Sequence, residues 1–342
     1  MNEVAVGLFT KFNIIRKHVA ILALIAGYFV TANASGQTLP TLDLTGYQDK
    51  SGAITVGYED NFVDPYFAMR SLLTASEEGL DTTKVALPWI KWLIKMQRPD
   101  GRFDRYCKEG DKFVVCQDAD ADDVNMALWA ELLTEFADNS AMPRDWHQSY
   151  EKALNYLQNN LYDPQQGIYH ISTAEPVGLF MDNVEIAHAF FRMVDSKRQQ
   201  GDVTGANMME LQANKLSQAI ENIFGTDTYY EVSTQPDQTH GLYPGATAQI
   251  YPWIFSIPSK FANDKINFNI WYSNWHVDAE LQQSDDAWGL IAIAAKKADN
   301  VVFVQEWLDS AELLRPYDKW NILDEIVYQV LKGNTPKNNN II

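Results

Sequence analysis

Carboxylates, and in one place a tyrosine, recur at the starts of apolar stretches along this chain of 342 residues. Glu59, Asp60 and Asp64 precede the first stretch. Asp120, Asp122 and Asp123 open the second, Asp182 and Glu185 the third, Tyr243 with Pro244 the fourth, and Asp285 with Asp286 the fifth. Anchors at 64, 123, 183 and 244 are separated by 59, 60 and 61 residues, and the last step, to 286, is 42. A period this long suits two helices with long loops. If alternate helices line a barrel, all five starts open on one face, and that face is a cleft rich in carboxylates. One carboxyl group can protonate a leaving oxygen while another activates water, which is the chemistry that breaking a sugar linkage needs.

Glu59, Asp123 and Asp182 are the expected reacting group. Glu59, part-buried, would be the proton donor; Asp123 would position the substrate or act as base, and Asp182 is the alternative base. Asp60, Asp122, Glu185, Tyr243, Gln249, Asp286 and Trp288 are expected against the substrate. Any one of these acids could equally cap a helix or meet its dipole; recurrence at four starts is what favours a shared role. Trp253, Trp271, Tyr272, Trp275 and Trp288 could stack on sugar rings, or could simply pack between helices.

Other chemistries find little here. Asp118, Asp120 and Asp122 alternate as in a calcium loop, but the sixth position is Asp123 rather than glycine and the twelfth is Trp129 rather than glutamate. Calcium held by another geometry stays open. The six histidines show no zinc spacing, and His188, among Ala and Phe, reads as a core histidine. Serine-hydrolase and phosphate-loop signatures are absent. Neither a metal nor a cofactor is expected.

The opening stretches, 127–130, 186–190, 246–248 and 290–295, are apolar nearly all round, whereas 151–160 and 210–222 are amphipathic. Apolarity on every side marks a helix buried on both faces. The opening helices are therefore inner and their partners outer. Helices are expected over 62–79 and 83–97, 122–137 and 144–161, 182–200 and 205–224, 243–257 and 266–276, 285–298 and 301–314, and 322–331. The fold class is all-α, an (α/α)6-type toroid of five hairpins and a remnant sixth. Residues 35–58 form an extended lead-in with one small strand at 53–57. An open helical repeat is the alternative, and the uneven last step weighs against it.

Lys11, Arg16 and Lys17 precede an apolar run at 19–30, too short to span a bilayer, and Ala32-Asn33-Ala34 fits a cleavage site. Residues 1–34 thus read as a signal peptide, 35–332 as one domain and 333–342 as a polar disordered tail. The net charge of −18 becomes −20 without the leader, with 24 Lys and Arg against 44 Asp and Glu. So acidic a chain will not hold nucleic acid by neutralising phosphates, and it disfavours polyanions. A neutral polysaccharide or oligosaccharide is the expected partner, with no membrane span once the leader is gone. Cys107 and Cys116 flank a Glu109-Gly110-Asp111 turn, and in an exported chain they are expected to be bonded.

Two segments resemble the six-hairpin glycosidases, and among them family 8 of the glycoside hydrolases. Tyr58-Glu59-Asp60 is similar to the place of that family's general-acid Glu. Asp120-Ala121-Asp122-Asp123 with Ala127 is similar to its Asp-Ala-Asp helix start. A further family Asp is absent, and the matching place reads Tyr243-Pro244-Gly245. Phe180-Met181-Asp182-Asn183 resembles the unsaturated glucuronyl hydrolases, with Asn183 in place of their glycine. The first resemblance implies an exported inverting glycoside hydrolase of the periplasm or medium. A non-catalytic carbohydrate-binding protein of exopolysaccharide assembly is the second reading, favoured by the absent Asp. A glucuronyl hydrolase-like enzyme is the third, opposed by the charge. The leader yields a direct test: N-terminal sequencing of exported protein is expected to start near Ser35, and full-length chain in the membrane fraction would refute it.

Overall fold

A computed structural model describes residues 39–342 except 138–141, 236–238, 260–264, 282–283, 285, 318 and 335–342. The leader, Asp285 and most of the expected tail lie outside the described residues. A short strand, β1 (Phe62–Val63), leads into α1 (Pro65–Glu77). Asp64 caps that helix, accepting from the Tyr66 amide at 3.1 Å, and Pro65 takes a first-turn position where no amide is needed. The outer partner is α2 (Thr83–Met96). A hairpin follows, β2 (Asp104–Glu109) and β3 (Lys112–Asp118), and with β1 it makes an antiparallel sheet in the order β1-β2-β3. Cys107 and Cys116 are bonded across it, as export and the turn suggested.

Next come α3 (Asp122–Phe136) and α4 (Arg144–Tyr156), the latter running into a π-helical turn at Leu157–Leu161. The strands β4 (Tyr162–Asp163) and β5 (Ile168–Tyr169) form a small hairpin before α5 (Phe180–Gln199) and α6 (Val203–Phe224). A π-helical turn at Gly241–Ala246 enters α7 (Thr247–Ile254), and α8 (Lys265–Asn274) and α9 (Val277–Leu281) follow. The chain ends on α10 (Gly289–Lys297), α11 (Val301–Leu314) and α12 (Ile322–Asn334). The last helix reaches two residues into the segment expected to be tail.

Packing closes the barrel. α1 lies against α3, α3 against α5, α5 against α7, α7 against α10, α10 against α12, and α12 against α1. The protein is therefore an all-α toroid with six inner helices. The reason is visible in α3, where every residue from 122 to 134 is buried, and in α5, buried without a break from 183 to 190. Such helices have no face to offer water, so they pack inside a second layer. That layer includes α2, α4, α6, α8 and α11.

The N-terminal lead-in fills the sixth outer position. Asp43 accepts from and donates to Gln329 of α12 through its backbone, and the Ile322 amide at the start of α12 donates to the Val56 carbonyl at 2.8 Å. On the other side Gln48 donates to the Val85 carbonyl of α2 at 2.8 Å. Ala53 and Ile54 are buried beneath. The strand expected at 53–57 reduces to a single bridge between Gln48 and Ile54. Among the described residues no helix is long and apolar enough to cross a membrane.

Gly52 makes this docking possible. Its φ is +100°, and a Cβ there would lie 2.4 Å from the Pro88 carbonyl oxygen of α2. Gly52→Ala adds backbone strain of about 1–3 kcal/mol to that collision. Its thermal midpoint is expected to fall by several degrees, measured by circular dichroism. An unchanged midpoint would show that the lead-in does not brace the barrel.

Candidate functional site

Because inner helices alternate with outer ones, their N-terminal ends share one mouth of the toroid. A cavity of about 310 Å³ opens there. Tyr66 of α1, Tyr243 and Tyr251 of the fourth inner segment, Trp288 and Asp286 before α10, and Asp324 of α12 contribute to its wall. No lysine or arginine is among the described residues that line it. Tyr243 and Trp288 stand with ring centres 5.6 Å apart at 30° to one another, and Tyr243 is 60% exposed. The Trp288 indole is fixed by donating to the Ser284 hydroxyl at 2.7 Å.

Beside this cavity the structure gathers Asp123, Asp182 and Glu185. Asp123 sits in the first turn of α3, fully buried, with Oδ1 accepting from the Val124 amide at 2.8 Å. Its Oδ2 and that of Asp182, in the first turn of α5, are shielded from water and have no hydrogen-bond partner among the described residues. Glu185 lies one turn further along α5. Its Oε1 accepts from the Tyr66 hydroxyl at 2.8 Å, and its Oε2 is 3.8 Å from the buried Arg70 guanidinium. Tyr66 and Tyr243 join the three acids to the cavity. The Tyr243 residue is exposed as a whole but its phenol end is enclosed, and burial there, then the charge of Asp182, raises it.

These surroundings separate the three carboxyl groups. Burial, then the neighbouring charges of Asp123 and Glu185, holds Asp182 well above the carboxylate range. Burial pushes Asp123 up to about 7, only partly offset by the Val124 amide. Burial also raises Glu185, but Arg70 and the Tyr66 hydroxyl oppose it. One group is thus kept as the acid and another is helped toward its anion. Such separation is how a pair of carboxyls divides acid and base roles.

The other expected site residues fall elsewhere. Glu59 is exposed, not part-buried, in a left-handed turn before β1 (φ 49°), and it is not among the main charges acting on the three acids. Asp60 is exposed and accepts from the Asn61 amide. Asp122 is paired with Arg102 at 3.3 Å. Gln249 commits its amide to backbone, accepting from Tyr230 N at 2.7 Å and donating to the carbonyls of Tyr230 and Gly245. That clamp positions the turn carrying Tyr243. Asp286 and Trp288 do line the cavity. Of the other aromatics, Trp271 is buried and bonded to the Ala246 carbonyl, and Trp253 donates to that of Ala294. Both are packing residues.

The aspartates at 118, 120 and 122 each face a guanidinium. Arg98 is 3.9 Å from Asp118, Arg105 is 3.5 Å from Asp120, and Arg102 holds Asp122. Arg105 also bonds Asp64 at 2.7 Å and so ties β2 to the start of α1. Tyr66, Arg70, Tyr251 and Asp324 are site residues that the sequence reading missed. Asp324 was the most accessible of these, because Asn321 three residues before it makes a helix-start pattern. Its Oδ1 accepts from Gly289 N at 2.9 Å and its Oδ2 from the Asn321 amide at 2.7 Å, while burial pushes its carboxyl up to about 7.

No protein-family model and no curated protein sequence matches the chain. Among solved structures the chain is similar to a D-mannose isomerase, at 12% identity and a TM-score of 0.49, over 85% of this chain and 94% of that one. It is also similar to a sugar epimerase from a ruminal bacterium, at 12% identity and a TM-score of 0.40, over 87% of this chain and 79% of that one. Both likenesses concern the course of the backbone alone. None of the comparisons shows the resemblance to family 8 glycosidases.

The buried acids make stability depend on pH in a definite sense. The folded chain keeps a proton on Asp123 up to about pH 7, whereas the unfolded chain loses it near the ordinary 3.8. Stability is therefore highest below that lower value and falls as pH rises through the upper one. Asp123→Asn removes the penalty. Its melting temperature is expected to exceed the parent's by roughly 2 °C or more at about pH 8, with the gap closing near pH 4. A gap that is constant or widens toward acid would contradict the burial of this acid.

Proposed function

We propose that the protein is an exported enzyme that hydrolyses a linkage in a neutral polysaccharide or oligosaccharide. The observation that carries this reading is the group Asp123, Asp182 and Glu185 at the mouth of the barrel. It is buried, short of hydrogen bonds and unequal in charge environment. Asp182, the acid with no cation beside it, donates a proton to the leaving oxygen. Glu185, steadied as the anion by Arg70 and Tyr66, activates water as the base. Burial, and then the charges of Asp123 and Glu185 as these ionise, keeps the proton on Asp182. The donor role thus moves from Glu59, which is exposed, to Asp182. Inversion at the anomeric carbon is the expected stereochemistry for an acid and a separate water-activating base.

Substrate class follows from the wall. A cavity with no lysine or arginine among its described lining residues, and with Asp286 and Asp324 at its edge, repels uronates and sulfated sugars. The inclined Tyr243–Trp288 pair offers flat apolar surfaces to the CH faces of a sugar ring. The disulfide in the β2–β3 hairpin fits an oxidising compartment outside the cytoplasm.

A reducing-end assay of the mature protein on a panel of neutral polysaccharides tests the reading. Asp182→Asn and Glu185→Gln are each expected to lower kcat by at least about 10²-fold, the low end of general acid–base catalysis. Glu59→Gln is expected to keep turnover near the parent's. If Asp182→Asn stays fully active while Glu59→Gln is dead, the donor is Glu59. A parent that turns over no polysaccharide, yet whose tryptophan fluorescence is quenched by oligosaccharide in a Trp288-dependent way, would be the non-catalytic binding protein instead.

A further inference from the structure

Deeper in the barrel lies a second group of charged side chains that hydrolysis does not use. His188, in the middle of α5, is buried. Its Nδ1 is 2.8 Å from the Phe255 carbonyl oxygen and its Nε2 is 3.1 Å from Glu77 Oε1 of α1. Glu131 of α3 is only 2% exposed, and neither of its carboxylate oxygens has a hydrogen-bond partner among the described residues. One ligand atom from each of Glu77, Glu131 and His188 can be chosen so that all lie within 4.8 Å of one another.

Three arguments point the same way. The first concerns the imidazole. A carbonyl can only accept, so Nδ1 carries the hydrogen and a neutral ring turns its Nε2 lone pair toward Glu77. A lone pair facing a carboxylate oxygen needs a cation between them, either a proton or a metal. A ring nitrogen held by a backbone carbonyl is also the usual support of a metal-binding histidine. The second concerns Glu131. A buried carboxylate with two bare oxygens is costly unless something binds it, and its nearest cation, Arg192 Nε, is 3.9 Å away, beyond hydrogen-bond reach.

The third is charge. Glu77, Glu131, Glu185 and Glu135 are linked through Arg70 and Arg192, with Arg70 bonded to Glu77 at 2.8 Å and Arg192 to Glu135 at 3.3 Å. Four carboxylates against two guanidiniums leave a charge that one divalent ion cancels. Glu135 and Arg192, the outer members of this set of charges, line a polar cavity of about 160 Å³.

We propose that Glu77, Glu131 and His188 bind one divalent transition-metal ion, with water completing its shell. One imidazole and two carboxylates suit zinc or manganese better than calcium or magnesium, which prefer oxygen alone. The ion joins α1, α3 and α5 at a level distinct from the sugar-binding mouth. It bridges three helices of the folded barrel, so it adds stability in proportion to its occupancy.

The test uses untagged mature protein, stripped with chelator and then exposed separately to zinc, manganese, calcium and magnesium. Elemental analysis after desalting is expected to find about one zinc or manganese per chain. The melting temperature is expected to rise by several degrees with that ion and hardly at all with calcium or magnesium. Glu131→Gln and His188→Gln, which keep side-chain volume, should lose both the bound ion and the thermal shift. Glu131→Gln should still melt cooperatively near the stripped parent, because it removes an unpaired buried charge. A parent that retains no metal and shows no shift at about 100 µM of either ion overturns the proposal. So does metal that stays bound in both variants, since the ligands would then lie elsewhere. Neither outcome bears on hydrolysis at Asp182 and Glu185.

Discussion

A single buried guanidinium organises the charges inside this barrel. Arg70 of α1 has no exposed surface, lies over the Phe255 ring at 4.9 Å, and faces Glu77 on one side and Glu185 on the other. Taking that cation out of water costs several kcal/mol, about what a pair of well-placed carboxylates restores. The consequence is geometric. Glu185 belongs to the mouth where Asp182 and Asp123 stand, and Glu77 belongs to the deeper group with His188 and Glu131. Arg70 sits between the two and fixes α1 to α5. Without it two carboxylates would be stranded in a core otherwise built from Ala, Leu, Ile and aromatic side chains.

The architecture was open to reading from the sequence because burial leaves a periodic trace. A helix such as 122–134, with apolar residues on all sides, has to be inner, and one such as 210–222, with a single apolar stripe, has to be outer. Acids near the helix starts placed them within a few residues, with Asp64 capping α1 and Asp122 in the first turn of α3. The sixth outer position was not readable in the same way. It is filled by a chain without helical period, docked through Gln48, Gly52 and Gln329. Such docking depends on backbone shape, for which sequence has no periodic sign.

The site was half legible for a related reason. Asp123 and Asp182 stand at inner-helix starts, and their local pattern marks them. Glu59 carried the same mark but precedes β1 in an exposed turn, because the chain makes a short strand before its first helix. Recurrence of acid near a helix start does not say which way the backbone turns just before it. Arg70 and Glu131 were passed over, and His188 was read as a core histidine, because each sits alone within an apolar run. Their partners lie on other helices, and only closure of the ring brings them together. A charged residue in the middle of an all-round apolar helix is the signal that could have found them. It has no solvent face to occupy, so it must be answered by a charge from a neighbouring helix.

The toroid itself explains why acids can collect at one mouth. Six inner helices point the same way, so their N-terminal ends converge, and each carries roughly half a positive charge in unsatisfied amides. Asp64 accepts from Tyr66 N, Asp123 from Val124 N, and Asp324 from Gly289 N, each drawing on that field or on a neighbouring helix start. The field lets Asp123 and Asp182 sit close together without a cation bonded to either, and no lysine or arginine is among the described residues that line the cavity. Lower in the barrel the field fades within a turn or so, and there the acids need Arg70, Arg192 and His188. The two groups thus differ in what compensates them. Helix ends compensate the upper acids incompletely, so protons there stay exchangeable and chemistry is possible. Cations answer Glu77 and Glu135 in the lower group but leave Glu131 without a hydrogen-bonded partner among the described residues, and those ion pairs tie α1, α3 and α5 together.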